Sequence, residues 1–211
     1  MSAEALIYAC FAVPLIGAVF IILTGSYPNL REAVTLVTAG FLFLCVAHLV
    51  PTVASGIRPS ITLLEMLPGL SIAFTIEPLG MIFACVASFL WIVTSIYAIG
   101  YMRGHHEVNQ TKFYFFFAIS ITAAIGVAFA GNMLTLFIFY EVLTLCTFPL
   151  VTHHGTEETK KAGRIYLGIL IGTSIGFQLF AIVWTYALTG TLDFTEGGIL
   201  GESANEPLIT V

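Results

Sequence analysis

Charged residues are scarce in this chain: aspartate, glutamate, lysine and arginine make up only 9% of its 211 residues. In soluble domains charged residues make up about 25% and apolar residues about 45–50%. Hydrophobic residues reach 58% here, and the mean hydropathy is +1.00. An ordinary water-soluble globule is therefore excluded, and the chain is predicted to be an integral membrane protein.

The chain also lacks the features of three other classes of protein. Its apolar runs are continuous rather than alternating at every second residue, which argues against a membrane β-barrel. The four cysteines, Cys10, Cys45, Cys85 and Cys146, form no CxxC pair, so neither a zinc or iron–sulfur site nor a disulfide framework is supported. The net charge of −5 excludes a basic surface for nucleic acid. We therefore expect no metal, no cofactor and no nucleic-acid partner.

Six apolar runs are present, each close to the roughly 20 residues that a helix needs to cross a bilayer. They lie at about 5–23, 33–53, 79–101, 112–130, 133–152 and 162–188. Only Gly131 and Asn132 separate the fourth run from the fifth, which predicts an antiparallel pair of helices. The expected fold is all-α, with a single transmembrane domain of six helices over residues 1–211.

The segment 60–77, between the second and third helices, is too irregular to span the membrane. Glu65, Pro68 and Gly69 interrupt it, and its second half alternates apolar and polar residues from Leu70 to Ile76. This alternation is typical of a β-strand. We expect a short strand or hairpin segment outside the bilayer.

Basic residues are distributed unevenly between the two sides of the predicted bundle. The first, third and fifth loops hold six of the seven, namely Arg31, Arg103, Lys112, Lys160, Lys161 and Arg164. Cytoplasmic loops carry an excess of lysine and arginine, so these loops are predicted to be cytoplasmic. Both termini then lie outside the plasma membrane, and residues 189–211 form an acidic external tail or a linker to a seventh helix.

Glu141 is the acidic residue that does not fit a membrane span. We expect the other eleven in loops or tails, whereas Glu141 lies ten residues after Gly131 and twelve before His153, near the bilayer midplane. A charge there costs about 2.5–3.5 kcal/mol, and such residues mark ion or proton pathways. Glu141 is the candidate proton-loading group; the alternative is a permanently protonated acid that only hydrogen-bonds neighbouring helices.

Three further residues are candidates for a proton path. Thr144 lies close to the face of Glu141, Arg164 opens the sixth helix, and His48 lies near the outer end of the second helix. Each has a structural alternative. A threonine hydroxyl commonly bonds its own helix backbone, a basic residue anchors the cytoplasmic side, and a histidine can serve packing alone.

Four residues are predicted to shape helix packing. Gly168, Gly172 and Gly176 recur at every fourth position, which forms a stripe along which another helix can approach closely. Pro149 frees a backbone carbonyl near the end of the fifth helix and is expected to bend it. The alternatives are a direct role in conduction for the glycines and a hinge beside a water cavity for Pro149.

The residues around Glu141 resemble a known family. Residues 126–145 read GVAFAGNMLTLFIFYEVLTL. They are similar to the fourth and fifth helices of the proton-conducting antiporter-like family, which includes the large membrane subunits of respiratory complex I and of Mrp-type sodium/proton antiporters. The similarity continues at 147–151, 162–167 and 188–194, and the fifth helix is most similar to the D-type subunits of Mrp antiporters.

The resemblance implies roles and partners. Family members carry an essential glutamate on the fifth helix, matched here by Glu141, and its usual partner is a lysine on the seventh. The chain resembles only the first half or less of a family member, so we expect a separate polypeptide to supply the remaining helices, or the chain to be a truncated product. The implied partners are other membrane subunits of an Mrp-type or complex I-like assembly, H⁺ with Na⁺ or K⁺, and the lipid bilayer.

Three functions are consistent with these features. The leading hypothesis is a transporter subunit, a membrane component of a multisubunit monovalent cation/proton antiporter. The first alternative is a proton-translocating subunit of a complex I-like NADH dehydrogenase or of a membrane-bound hydrogenase. The second is a structural subunit that keeps the fold without conducting ions.

Overall fold

A computed structural model describes residues 2–67 and 69–200 and contains six helices that are long and apolar enough to cross a membrane. They are α1 (Ala3–Leu23), α2 (Pro28–Ala54), α3 (Pro78–Gly104), α4 (Gln110–Ala128), α5 (Met133–Val151) and α6 (Glu157–Thr189). A two-stranded antiparallel sheet, β1 (Ser60–Leu67) and β2 (Leu70–Thr75), lies between α2 and α3. The predicted fold class is confirmed. Part of the predicted acidic tail, 201–211, lies outside the described residues.

Successive helices run in opposite directions, so the bundle has two ends. The basic end, where α2, α4 and α6 begin, carries six of the seven lysine and arginine residues, and the hairpin end carries β1 and β2. Helices α1 to α4 pack around one core, α5 packs against α4, and α6 packs mainly against α5. In the membrane-spanning part of α5 and of α6 only 11% of residues are buried, against 39% for α1 and α4.

Helices α2 and α6 each begin five residues earlier than predicted. Helix α2 starts at Pro28, because proline is preorganised for the first helical turn. Helix α6 starts at Glu157, where the Thr156 hydroxyl accepts a hydrogen bond from the Thr159 N–H at 3.1 Å and so caps the helix. Glu32 and Glu157 therefore lie in helices. The expectation that every acidic residue except Glu141 lies in a loop or tail is wrong.

Glu32 tolerates this position because it belongs to a buried ion cluster at the basic end. Its carboxylate accepts hydrogen bonds from Nε and Nη2 of Arg103 in α3, the former at 3.1 Å. The neighbouring Arg31 donates to Gln110 at 2.7 Å and to Thr111 at 3.1 Å, both in α4. Buried charges are tolerated when they are paired in this way. The cluster joins α2, α3 and α4 at one end of the core.

At the hairpin end, Phe74 of β2 anchors the sheet to the helices. Its side chain is fully buried, and its ring centroid lies 4.5 Å from that of Phe11 in α1 and 5.3 Å from that of Phe139 in α5. Aromatic pairs at these separations add to the stabilisation from burial alone. The sheet therefore closes the end of the bundle.

The loop between α4 and α5 joins three segments at the hairpin end. On one side Gly131 N–H donates to the carbonyl of Ala73 in β2 at 2.9 Å. On the other side Met133 N–H donates to the carbonyl of Leu192 at 3.0 Å. Between them lies the buried Asn132, whose Oδ1 accepts from the Thr135 N–H at 2.8 Å and caps α5.

The amide nitrogen of Asn132 makes a second bond, donating to the carbonyl of Ser71 in β2 at 2.8 Å. One side chain thus sets both where α5 begins and how β2 lies against it. We name this group of contacts, from 129–133 to β2 and Leu192, the Asn132 junction.

Replacing Asn132 by alanine is expected to destabilise the protein by about 2–3 kcal/mol, because it removes a helix cap and leaves the partly buried Ser71 carbonyl without its donor. Asn132→Asp keeps the capping oxygen and is expected to lose less. The measurement is SDS-induced unfolding in detergent, followed by far-UV circular dichroism.

Thr156→Ala is the matched control, since Thr156 caps α6 at an exposed position and, unlike Asn132, has no described hydrogen bond to the β-sheet. It is expected to cost about 1 kcal/mol. Equal losses for Asn132→Ala and Thr156→Ala would show that Asn132 is only a cap.

Candidate functional site

Glu141 lies in the middle of α5. Eight residues separate it from Met133 and ten from Val151, which corresponds to about 12 Å and 15 Å of helix. Its side chain is half-buried, and its Oε1 atom is shielded from solvent without a hydrogen-bond partner among the described residues. A carboxyl oxygen that loses its water without gaining a hydrogen-bond partner destabilises the fold by the free energy of its desolvation.

The rotation of α5 is set by Phe139, two residues before Glu141. A Cβ atom on Gly126 of α4 would overlap the Phe139 ring, so glycine allows this close approach of the two helices. Residues two apart in a helix project roughly 200° apart. Packing of Phe139 against Gly126 therefore turns Glu141 away from that contact.

Thr144 lies one turn beyond Glu141 and is buried, with 5% of its surface exposed. The Thr147 hydroxyl donates to the Thr144 carbonyl at 2.9 Å, which is the local backbone bond common for threonine in helices. Pro149 lies in the last turn, and α5 continues past it to Val151. The structure thus brings Thr144 close to Glu141 along the helix.

Arg164 and His48 lie apart from Glu141. Arg164 is exposed and lines a cavity at the basic end, and no ion pair joins it to Glu141 in the part of the chain described. His48 is exposed on α2, which packs against α1 and α3, and its Nδ1 contacts the Leu44 carbonyl at 2.8 Å. Their participation in a proton path stays a prediction.

The glycine stripe of α6 meets no described residue. A Cβ atom at Gly168, Gly172 or Gly176 would have no atom within 4 Å. The close approach between α5 and α6 is instead at Gly163, where a Cβ atom would overlap Thr152. The four-residue spacing of these glycines predicts a small-residue face but does not say which helix packs against it. The packing role of this face stays a prediction.

Two features of the site region were missed by sequence reasoning. Gly126 falls within the quoted family block but outside any regular glycine spacing, so its contact with Phe139 has no local signal. Helix α6 also contains a π-helical segment, Ser174–Leu179, that begins after the Thr173 hydroxyl bonds the Ile169 carbonyl at 2.9 Å. Such segments are frequent at functional sites.

Gly126→Ala is expected to destabilise the protein by about 1–3 kcal/mol, because the added methyl group overpacks the contact with Phe139. Gly168→Ala is the matched control and is expected to be neutral or stabilising by up to about 1 kcal/mol, the gain in helix propensity. SDS-induced unfolding of both variants measures the difference. Equal stability of Gly126→Ala and the unmodified chain would contradict the packing argument.

Two family models match this chain. Residues 68–114 match the N-terminus of chain 5 of NADH-ubiquinone oxidoreductase (complex I), and residues 130–208, which include Glu141, match the transmembrane region of NADH:quinone oxidoreductase and Mrp antiporters. Together the two matches cover more than half of the chain.

Similar curated proteins come from two kinds of assembly. NADH-quinone oxidoreductase subunit N of Buchnera aphidicola subsp. Acyrthosiphon pisum is 28% identical over 133 residues, which cover 63% of this chain and 27% of that protein. The putative antiporter subunit mnhD2 of Staphylococcus haemolyticus is 33% identical over 111 residues, which cover 53% of this chain and 22% of that protein. The chain thus matches about a quarter of the length of these relatives.

Two solved structures share the fold. The Mrp complex from Dietzia sp. DQ12-45-1b matches 99% of this chain with a TM-score of 0.75 and 18% identity, over 22% of that chain. The archaeal membrane-bound sulfane sulfur reductase matches 88% of this chain with a TM-score of 0.73 and 22% identity, over 28% of that chain. The chain is thus similar, in two separate segments, to the antiporter-like membrane subunits of NADH:quinone oxidoreductases and Mrp antiporters.

Proposed function

We propose that this chain is a membrane component of a multisubunit monovalent cation/proton antiporter and that Glu141 takes part in proton translocation. The observation that supports it best is the Oε1 atom of Glu141, shielded in the middle of α5 without a hydrogen-bond partner among the described residues. Ionisable residues at membrane depth are costly and are typically functional.

The proposed role requires the carboxyl group of Glu141 to take up and release a proton. An apolar environment favours the neutral acid, whereas a cation close by favours the carboxylate. The proposal therefore needs a cation that can approach Oε1 and a chain of water molecules that carries the proton to and from it. Thr144, buried one turn away, supplies a hydroxyl for such a chain.

Further helices are part of this proposal. In each of α5 and α6 only 11% of the spanning residues are buried, so both helices have faces that the described residues do not cover. Protein packed there would complete the surroundings of Glu141 and supply the lysine that the family resemblance implies. We propose that other membrane subunits, or further helices of the same fold, cover these faces of α5 and α6.

The proposed location is the plasma membrane, with the basic end in the cytoplasm and both termini outside. Its support is the distribution of lysine and arginine, six of seven at one end. The matched relatives include subunits of quinone oxidoreductases, so a proton-translocating subunit of a redox-driven complex is the second candidate function.

Glu141→Gln is expected to reduce cation/proton exchange at least tenfold in membrane vesicles that contain the full assembly, because the amide keeps the shape of the side chain but cannot carry the proton. Assembly, judged by co-purification of partner subunits, is expected to be unchanged. Dye-reported pH changes after addition of Na⁺ or K⁺ measure the exchange.

Glu158→Gln is the control, since Glu158 is exposed at the start of α6 and is expected to keep full exchange. Undiminished exchange in Glu141→Gln would refute the role of the carboxyl group. Proton movement that requires an electron donor, and not a cation gradient, would favour the redox-driven complex instead.

A further inference from the structure

A cavity of about 350 Å³ opens at the basic end, where α4 begins, α5 ends and α6 begins. Its basic wall comes from two helices, with Lys112 on α4 and Lys160 and Arg164 on α6. Phe148 of α5 adds an apolar surface. No carboxylate lines this cavity among the described residues, so it is a cationic site with an apolar side.

Two of the three cations have no acidic partner. Lys160 Nζ pairs with Glu157 Oε1 at 2.8 Å, whereas no carboxylate lies within 4.0 Å of Lys112 or Arg164 among the residues described. Glu107, in the adjoining loop between α3 and α4, has its Oε2 atom 3.8 Å from His154 Nδ1. Lys112 and Arg164 therefore line the cavity without forming an ion pair among the described residues, although Arg164 is close enough to Glu157 for their charges to interact.

His153 adds a neutral polar group to the cavity wall. Its two ring nitrogens are shielded from solvent and make no hydrogen bond of normal geometry in the described chain. Burial lowers the pKa of the His153 ring, and His154 and Lys112 lower it further, while Glu107 and a backbone contact with Val108 raise it. A neutral imidazole can donate one hydrogen bond to an anion without adding charge.

The surroundings of the cavity are those of a membrane interface. The ends of three spanning helices meet there, and Ile165 and Ile169, next to Arg164 on α6, expose 56% and 61% of their surface. Basic pockets between transmembrane helices on the cytoplasmic side bind anionic head groups. An acyl chain can pack against the apolar side of the site, whereas a free inorganic anion gains nothing from contact with it.

We propose that this cavity binds the phosphodiester head group of an anionic phospholipid, held between Lys112 of α4 and Arg164 of α6. Arginine and phosphate form charge-assisted hydrogen bonds, and lysine contributes a point charge. Because α6 packs mainly against α5, a head group that bridges α4 and α6 also fixes the start of α6 to the core. For Arg164 this role is an alternative to the place in a proton path that the sequence predicts.

The test measures lipid binding by the purified protein, with its partner subunits where they co-purify, in a neutral detergent. Native mass spectrometry compares added phosphatidylglycerol with phosphatidylcholine of the same acyl chains. Lys112→Gln and Arg164→Gln are each expected to weaken phosphatidylglycerol binding about fivefold, the equivalent of about 1 kcal/mol for each basic residue near a membrane surface. Lys112→Arg is expected to retain binding.

Lys161→Gln is the matched control, because Lys161 is an exposed lysine of α6 that does not line the cavity. It is expected to change binding less than twofold. Equal weakening by Lys161→Gln would show general attraction to a basic surface and overturn the proposal. Equal binding of phosphatidylcholine, or displacement of the lipid by inorganic phosphate at equal concentration, would also overturn it.

Discussion

The position of Glu141 depends on the Asn132 junction. The apolar residues of α5 can face lipid or protein equally well, so their pattern alone does not fix the depth of this helix. The cap at Asn132 and the bond from its amide to Ser71 fix where α5 begins. The helical rise then places Glu141 about 13 Å further on.

Helices α1 to α4 and helices α5 and α6 differ in how completely they are packed. The first four share a core that is closed at one end by the cluster of Arg31, Glu32 and Arg103 and at the other by Phe74. Glu32 is buried, so removal of its arginine partners would leave its charge uncompensated in the interior and destabilise this end of the core. Helices α5 and α6 extend from it with few buried residues, which leaves the surroundings of Glu141 open to other protein.

Local patterns in the sequence predicted the parts of the structure that depend on short stretches of chain. Six helices followed from the length and hydropathy of apolar runs, and the sheet followed from the alternation after Leu70. The start of α2 was misplaced because Arg31 and Glu32 look like loop residues until their partners on α3 and α4 are known. Gly126 and Gly163 were missed for the same reason, since a glycine's partner lies on another helix and leaves no mark in its own spacing.

The cavity at the basic end bears on the charge partner of Glu141. Helix α5 ends and helix α6 begins at the basic end. Arg164 is the eighth residue of α6 and lines this cavity, whereas Glu141 lies ten residues before the last residue of α5. A guanidinium held by a head group at the membrane interface is not free to reach a carboxyl group deeper in the bilayer. If the cavity holds a phospholipid, Arg164 stabilises the start of α6 and is not the charge partner that the proposed function requires for Glu141.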